Sequence, residues 1–487
     1  MSVLIAIDQG TTSTRTVVYD QDLNILDSAR QEYPLLYPRD GWVEVNPNEL
    51  MNSVYATLDP ILDIYSEITG AGITNQRETT LVWDADSGET IYNGIVWQDR
   101  RTSKLCASLK DSGYEEMIKQ KTGLLLDPYF SSTKIAWILD NVDGAREKAS
   151  KGLLRFGTVD TFLLWQLSGG EIFKTDITNA SRTNLLNLNT LSWDEDLLKI
   201  FNVPLSMLPE VHSSDANFGT FSRNKKTITV TGVIGDQQSA LVGQKCFGEG
   251  DMKATFGTGC FLMVNTGENR KDSNSGLLST AAYKLLDQQR YALEGSIFSA
   301  GTIIQWLRDN IQFFEQSSDS EKFLSSKGQS NGVIFIPAFT GVGAPHWNPE
   351  IRASFYGITR DTSKEDLITA AFKSLIYQVI DIKDALINDG VEINNLVIDG
   401  GMAKNNTFCQ LLSDYLSQEI RVPDSIESTA TGAAIAAGLG SGAFSSTKSL
   451  KINDKGSSLF TPRKDIYDEE DIQNWREFLN LLIKTYN

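Results

Sequence analysis

Histidine is almost missing from this chain, with two residues in 487, and cysteine is scarce, with four. Cys106, Cys246, Cys260 and Cys409 lie far apart and form no Cys-x-x-Cys pair. A zinc centre gathers such ligands at close spacing, so their scarcity argues against one. Unpaired cysteines in a long chain fit a reducing compartment, and a cytoplasmic location is expected. A basic surplus is missing too: 62 Asp and Glu against 44 Lys and Arg leave a formal net charge of −18. Binding to a nucleic acid, which rests on neutralising many phosphates, is therefore not expected. A single nucleotide is not excluded on this ground, because a nest of backbone N–H groups, one or two cations and Mg²⁺ suffice for its phosphates. No apolar stretch reaches the roughly 20 residues of a membrane-spanning helix. The opening Met1-Ser2-Val3-Leu4-Ile5-Ala6-Ile7 has no basic region before its apolar run and no cleavage site after it. It reads as a first β-strand, not a signal peptide.

Hydrophobic residues make up 41% and charged residues 22%, a soluble globular balance, and 487 residues suit two domains better than one. Val3–Ile7, Thr16–Asp20 and Leu23–Tyr33 read as a three-stranded meander around the polar turn Asp8-Gln9-Gly10-Thr11-Thr12-Ser13. Strands and helices then alternate, as in an α/β fold. Strands are expected over Ile68–Ile73 and Thr227–Ile234, with helices over Ser131–Asp140 and Thr158–Ser168 and another opening at Ser239. Ala254–Val264 looks like a second strand, glycine turn and strand, an echo of the N-terminal meander. The echo suggests domains over residues 1–243 and 244–487. The second half would continue with strands at Val333–Pro337 and Asn395–Ile398, a long helix over Lys364–Asp384, a small-residue helix over Ala430–Leu439 and an amphipathic tail helix over Glu469–Tyr486.

Three turns rich in glycine and hydroxyl groups follow or join strands: Asp8–Thr12, Gly257-Thr258-Gly259 and Asp399-Gly400-Gly401. Glycine lets backbone N–H groups approach phosphate oxygens, and threonine adds a hydroxyl donor. A single such turn is more often a plain hairpin, but turns from both halves are what a nucleotide held between two domains requires. Neither the P-loop pattern nor the glycine-rich loop of protein kinases occurs. Asp8 and Asp236 stand at strand ends, where a carboxylate can bind Mg²⁺, accept a substrate proton or simply cap a turn. Arg77-Glu78 offers a cation beside an acceptor, which suits adjacent hydroxyls as well as a surface ion pair. Trp97, Tyr129 and Phe261 are fit to wall a small pocket or to fill core.

Taken together, these blocks resemble the glycerol kinases of the FGGY carbohydrate kinase family. The resemblance is carried by Asp8–Arg15, Gly41–Glu44, Asn75-Gln76-Arg77-Glu78-Thr79-Thr80, Trp97–Arg101, Asp127–Phe130, Asn179–Thr183, Gly235-Asp236-Gln237-Gln238, Phe256–Cys260, Gly341–Trp347 and Asp399-Gly400-Gly401, in the expected order to about residue 440. It implies two ribonuclease H-like, actin-like ATPase domains with a central cleft, and ATP-dependent phosphorylation of glycerol to sn-glycerol 3-phosphate at the start of glycerol catabolism. By the same resemblance Thr11, Thr12, Ser13, Arg15 and Thr258 would meet the nucleotide phosphates, and Gly301, Gln305, Gly401 and Asn405 would line the rest of the ATP site. Arg77, Glu78, Tyr129, Asp236 and Gln237 would hold the glycerol hydroxyls, with Trp97 and Phe261 against its carbons. Asp236 would be the general base, and Asp8 with Asp236 would position Mg²⁺. A homodimer or homotetramer is expected, without nucleic acid or membrane insertion.

Departures from the family pattern concern regulation. Some bacterial members bind fructose 1,6-bisphosphate on a loop before the Gly-Asp-Gln-Gln strand, and others carry a phosphorylated histidine there. Here Asn217–Thr229 is shorter and reads Ser222-Arg223-Asn224-Lys225-Lys226, with His212 upstream, so neither device is expected. His346 replaces an aromatic residue in Gly-Ala-Pro-His-Trp, and the C-terminal tail is short for the family. The competing readings are a kinase of another polyol or sugar, such as xylulose or erythritol, and an inactive actin-like binding protein.

Overall fold

The apolar run at the N-terminus forms strand β1 (Val3–Gln9), buried along nearly its whole length. The computed structural model of the chain describes residues 2–424, 427–450, 456–464, 466 and 468–486. β1 turns at Gly10-Thr11-Thr12 into β2 (Ser13–Tyr19), and β2 pairs with β3 (Ile25–Glu32) in an antiparallel meander. The second strand thus begins at Ser13, earlier than the sequence pattern suggests, because Thr14 and Thr16 face inward and bond to Ser53 and Thr57 of the helix behind. That helix, α1 (Pro47–Ile64), is opened by the Asn46 side chain, which accepts from the Asn48 amide at 2.9 Å. It carries the chain to β4 (Ile68–Asn75), parallel to β1; a parallel neighbour needs such a crossover. β5 (Gly219–Arg223) and β6 (Lys226–Gly235) form a hairpin whose two turn residues, Asn224 and Lys225, have φ of 48° and 60°. This is the tight turn that positive φ at both central positions permits. The sheet runs β5-β6-β4-β1-β2-β3.

The register of the parallel strands aims one set of residues at one edge. Gln9 pairs with Asn75, and Asn75 pairs with Gly235. The chain therefore leaves the carboxyl edge of three adjacent strands at Gly10, Gln76-Arg77-Glu78 and Asp236-Gln237, the edge where open α/β sheets place ligands. Helix α2 (Asp236–Gly243) starts directly at Asp236, not at Ser239, with extended Gly235 as its N-cap. A carboxylate in the first turn of a helix is favoured by the helix dipole.

A second sheet repeats the plan. β7 (Asp251–Phe256) and β8 (Cys260–Gly267) flank the turn Gly257-Thr258-Gly259, followed by β9 (Leu278–Leu285) and β10 (Gln288–Ile297). Helices α3 (Gly301–Asp309) and α4 (Lys364–Asn388) lead to β11 (Asn395–Gly400), parallel to β7 with Phe256 opposite Gly400. α4 opens with a capping box between Ser363 and Asp366. β12 (Ile420–Val422), helix α5 (Ser428–Gly440), β13 (Ser458–Phe460) and helix α6 (Glu469–Tyr486) complete the half, and the sheet runs β9-β10-β8-β7-β11-β12-β13.

Each sheet has its own apolar core, and a third cluster lies between them. That third cluster is built around α5, whose Ala433, Ala434, Ala436 and Ala437 touch the first sheet although the helix follows the second sheet in sequence. The approach is so close that a Cβ on Gly72 or Gly232 would run into the backbone of Ala433 or Ala437. Thr231 seals the contact with a hydrogen bond from its hydroxyl to the Ala437 carbonyl at 2.9 Å.

Candidate active site

Where the edges of the two sheets face one another, a cavity of about 170 Å³ opens, lined by Thr11, Arg77, Glu78, Trp97, Tyr129, Asp236, Gln237, Thr255, Gly257, Thr258, Gly259 and Phe261. The structure thus gathers Arg77, Glu78, Trp97, Tyr129, Asp236, Gln237 and Phe261, the residues that sequence resemblance assigns to a polyol, around one small space. Trp97 stands edge-on to both Tyr129 and Phe261, with ring centroids 5.7 and 5.8 Å apart, making an aromatic wall whose Tyr129 hydroxyl accepts from Arg77 at 3.4 Å. The Trp97 indole N–H donates to Thr11 Oγ1 at 3.0 Å, tying this wall to the first glycine turn. Glu78 has φ of 60°, in the left-handed region that a glutamate seldom adopts. That kink lets two consecutive side chains, Arg77 and Glu78, both reach the cavity; such strain is typical of binding sites.

Arg77 and Glu78 are not chiefly partners of each other, their charged atoms lying 3.8 Å apart. Arg77 binds Glu294 of β10 through both terminal nitrogens, at 2.6 and 3.2 Å, and reaches Asp236 at 3.3 Å. Arg182 binds Glu78 at 2.6 Å and Glu294 at 2.9 Å. With Lys253 alongside, three cations balance Glu78, Glu294 and Asp236, which is what allows so many charges to be buried. Burial alone would raise the Glu294 carboxyl, but Arg182 and Arg77 hold it down at about 2. Burial tends to lower the Arg77 guanidinium, yet Glu294 and Glu78 raise it well above its ordinary value. Within this cluster the Asp236 side chain is 28% exposed, against 2% or less for Arg77, Glu78, Arg182 and Glu294. The accessible carboxylate of the cluster is Asp236, and it faces the cavity.

A larger cavity of about 410 Å³ adjoins on the side of the second sheet, lined in part by Gly257, Thr258, Gly301, Gln305, Gly401 and Asn405. Gly257 and Thr258 belong to both cavities, so their turn is the partition between them. Its carbonyls are tied to the start of α3: the amides of Gly301 and Ala300 donate to Gly257 O and Thr258 O, each at 2.9 Å. With these oxygens directed at the helix, the negative ends of the peptide dipoles point away from the partition, as an anion site requires. The first turn is fixed in the same manner. The Gly10 carbonyl accepts from the Tyr33 hydroxyl, from Gln9 Nε2 at 2.7 Å and from Gln76 Nε2 at 3.2 Å.

Thr12, Ser13 and Arg15 stand in or just after that first turn but outside the lining of either cavity, and Arg15 forms an ion pair with Glu427. Asp8 sits at the end of β1, two strands from the end of β6 where Asp236 emerges. Burial is the main cause pushing its carboxyl up to about 7; Arg15 opposes this, and the charge of Asp236 adds to it. Among the described residues no group of three or more His, Cys, Asp and Glu forms a cage for a metal. Asp8, like Thr12, Ser13 and Arg15, lies outside the lining of both cavities, but its carboxyl senses the charge of Asp236. Two hard carboxylates that close fit Mg²⁺, which takes one or two carboxylates and completes its shell from phosphates and water.

Several residues that sequence reasoning did not single out support this site. Glu294 and Arg182 bind the charged pair, and Lys134, fully buried, donates to the Tyr129 carbonyl at 2.5 Å and so braces the aromatic wall. His346 reaches Asp381 of α4 at 3.0 Å, and Asp381 also accepts from Arg476 of α6 at 2.7 Å. The histidine that departs from the family pattern therefore meets a carboxylate that links two helices of the second half, and it lines neither cavity.

The N-terminal domain of the FGGY family of carbohydrate kinases matches residues 3–243, and the C-terminal domain of that family matches residues 252–441. The glycerol kinase of Alteromonas mediterranea is 49% identical over 467 residues, 94% of each chain. The crystal structure of Plasmodium falciparum glycerol kinase with ADP superposes with a TM-score of 0.90 at 37% identity, covering 100% of this chain and 98% of that one. A ligand-bound xylulose kinase from Lactobacillus acidophilus, 22% identical with a TM-score of 0.88 over 100% of this chain and 99% of that one, shares the fold.

Proposed function

Because the chain belongs to the FGGY family of carbohydrate kinases, we propose that it transfers the γ-phosphoryl group of ATP to glycerol, giving sn-glycerol 3-phosphate and ADP. The observation that carries this reading is the pair of unequal cavities sharing the turn Gly257-Thr258. The larger, about 410 Å³, suits a nucleoside. The smaller, about 170 Å³, is well below the roughly 300–1,000 Å³ of drug-sized ligand sites and suits a three-carbon triol. A phosphate chain crossing the partition would bring its terminal group to a hydroxyl held beside Asp236.

Arg77, Glu78, Tyr129, Asp236 and Gln237 would bind the glycerol hydroxyls, donors and acceptors alternating, while Trp97 and Phe261 cover its carbons. Thr11, Thr12, Ser13 and Arg15 from the first turn and Thr258 from the second would take the phosphates; Gly301, Gln305, Gly401 and Asn405 would take the nucleoside. Asp236 accepts the proton of the attacking hydroxyl as the oxygen–phosphorus bond forms and ADP leaves. Phosphoryl transfer depends mainly on positioning and on neutralising charge, and closing the cleft keeps water from competing as the acceptor. Asp8 and Asp236 would hold Mg²⁺, which supplies charge neutralisation on the phosphates. By the same resemblance the two lobes divide at residues 243 and 244, and the enzyme works in the cytoplasm as a dimer or tetramer.

A coupled assay of ADP release over a panel of polyols and ketoses tests the reaction. Glycerol is expected to give the highest kcat/KM, and a pentulose well above glycerol would overturn the assignment. The cation site has its own test. A carboxyl held at about 7 must lose its proton to a bound cation. Mg²⁺ affinity in the presence of nucleotide should therefore rise with pH up to about 7 and level off above it. Calorimetric titrations from pH 5.5 to 8 should show this slope in the wild type and its loss in Asp8→Asn; an unchanged slope in the variant would remove Asp8 from the site.

A further inference from the structure

Lys253 lies in β7 of the second sheet, has no exposed surface, and yet carries its ammonium to the active site. Three acceptors surround it: Gln237 Oε1, Thr255 Oγ1 at 3.2 Å and the Phe261 carbonyl at 3.2 Å. Gln237 belongs to α2, at the edge of the first sheet, so this contact joins the two halves of the molecule. Gln237 in turn meets Asp236 twice, through its backbone amide to Oδ1 at 2.8 Å and through Nε2 to Oδ2 at 3.2 Å. Arg77 Nε lies 3.3 Å from the same Oδ1.

From this chain of contacts we infer that Lys253 is a positioning residue that sets the orientation of the Asp236 carboxylate by fixing the side-chain amide of Gln237. The chemistry allows one arrangement. An ammonium only donates, so it must meet the amide oxygen; the amide nitrogen is then directed at Asp236, whose two oxygens both accept from Gln237. Reversing the amide would oppose donor to donor at one end and acceptor to acceptor at the other. Both oxygens of Asp236 are thereby held from the α2 side, and the plane of the carboxylate is fixed relative to the cavity. A residue from the second sheet thus adjusts the base carried by the first, so the base is correctly aimed only while the two halves are apposed. The inference rests on the assignment of Asp236 as the base of the proposed reaction.

A double-mutant cycle tests it. Lys253→Met and Gln237→Met should each lower kcat by about 100-fold, the order of loss that a small misplacement of a reacting group produces, with the KM for ATP changed less than about threefold. The double variant should be no worse than the poorer single one, because the lysine acts through the glutamine. Losses that multiply would overturn the proposal, since a lysine that merely supports the fold acts independently of Gln237. Gln237→Glu leaves Lys253 untouched and keeps an oxygen for it, but sets a carboxylate against Asp236. It should be as slow as Gln237→Met, and near-normal turnover would overturn the proposal even if Lys253→Met does not fold. These ratios are read with whichever acceptor the wild type uses best. Absence of glycerol-dependent ADP release in the wild type would refute the proposed reaction, whereas multiplying losses would refute only the role of Lys253.

Discussion

Replacing Asp236 by Asn is expected to lower glycerol-dependent turnover by about 10³-fold while leaving nucleotide affinity within a few-fold of the wild type, as befits loss of a general base. The substitution keeps size and shape, so it isolates the loss of charge and basicity. Its severity follows from geometry. Within the buried ionic cluster Asp236 is the carboxylate with substantial exposure to the cavity, and Glu78 and Glu294 are consumed by Arg182 and Arg77. No neighbouring carboxylate in that cluster is placed to take over its proton. The larger cavity, to which the nucleotide is proposed to bind, is lined by other residues, which is why ATP binding should persist. Turnover close to normal, measured by coupled ADP release beside calorimetric nucleotide binding, would remove Asp236 from the role of base.

Arg77→Ala should show two effects at once. As a ligand for a glycerol hydroxyl, its loss should raise the KM for glycerol far more than that for ATP. As the bidentate partner of Glu294, its loss leaves a carboxylate without a principal counter-charge at a fully buried position. Breaking a buried ion pair in this manner costs about 3–5 kcal/mol. A drop in the thermal midpoint should therefore accompany the kinetic change. Arg77→Lys separates the two, since it restores the charge but not the two-nitrogen grip on Glu294. It should recover part of the stability and little of the glycerol affinity. Equal rises in the two KM values for Arg77→Ala would count against its place in the glycerol site.

The elements framing the site were legible because short apolar runs bounded by glycine turns carry strong local signals. Val3–Ile7 and the echo around Gly257-Thr258-Gly259 are examples, and both emerge as strand–turn–strand units. What remained hidden is non-local. Glu294 sits in the fully buried end of its strand, where nothing local marks a partner, and Arg77 is 217 positions away. Only the register of two different sheets brings them together. Arg77-Glu78 illustrates the same limit, since adjacency in sequence suggests a mutual ion pair, whereas the left-handed φ at Glu78 sends each to a distant partner. The sequence pattern sets the start of α2 three residues late for a local reason: a strand-ending Gly-Asp gives no apolar periodicity, so the helix announces itself only at its first buried turn.

The placement of α5 has a consequence for biosynthesis. Its alanine face closes over glycines of the first sheet, yet its residues follow β7 to β12 of the second sheet in the chain. A nascent polypeptide that has emerged only as far as residue 243 therefore carries a sheet with one face still bare, including the groove at Gly72 and Gly232. The amino-terminal lobe is finished only after residue 440 has cleared the ribosome. The first sheet thus depends for its packing on a helix that the chain supplies only after the core strands of the second sheet.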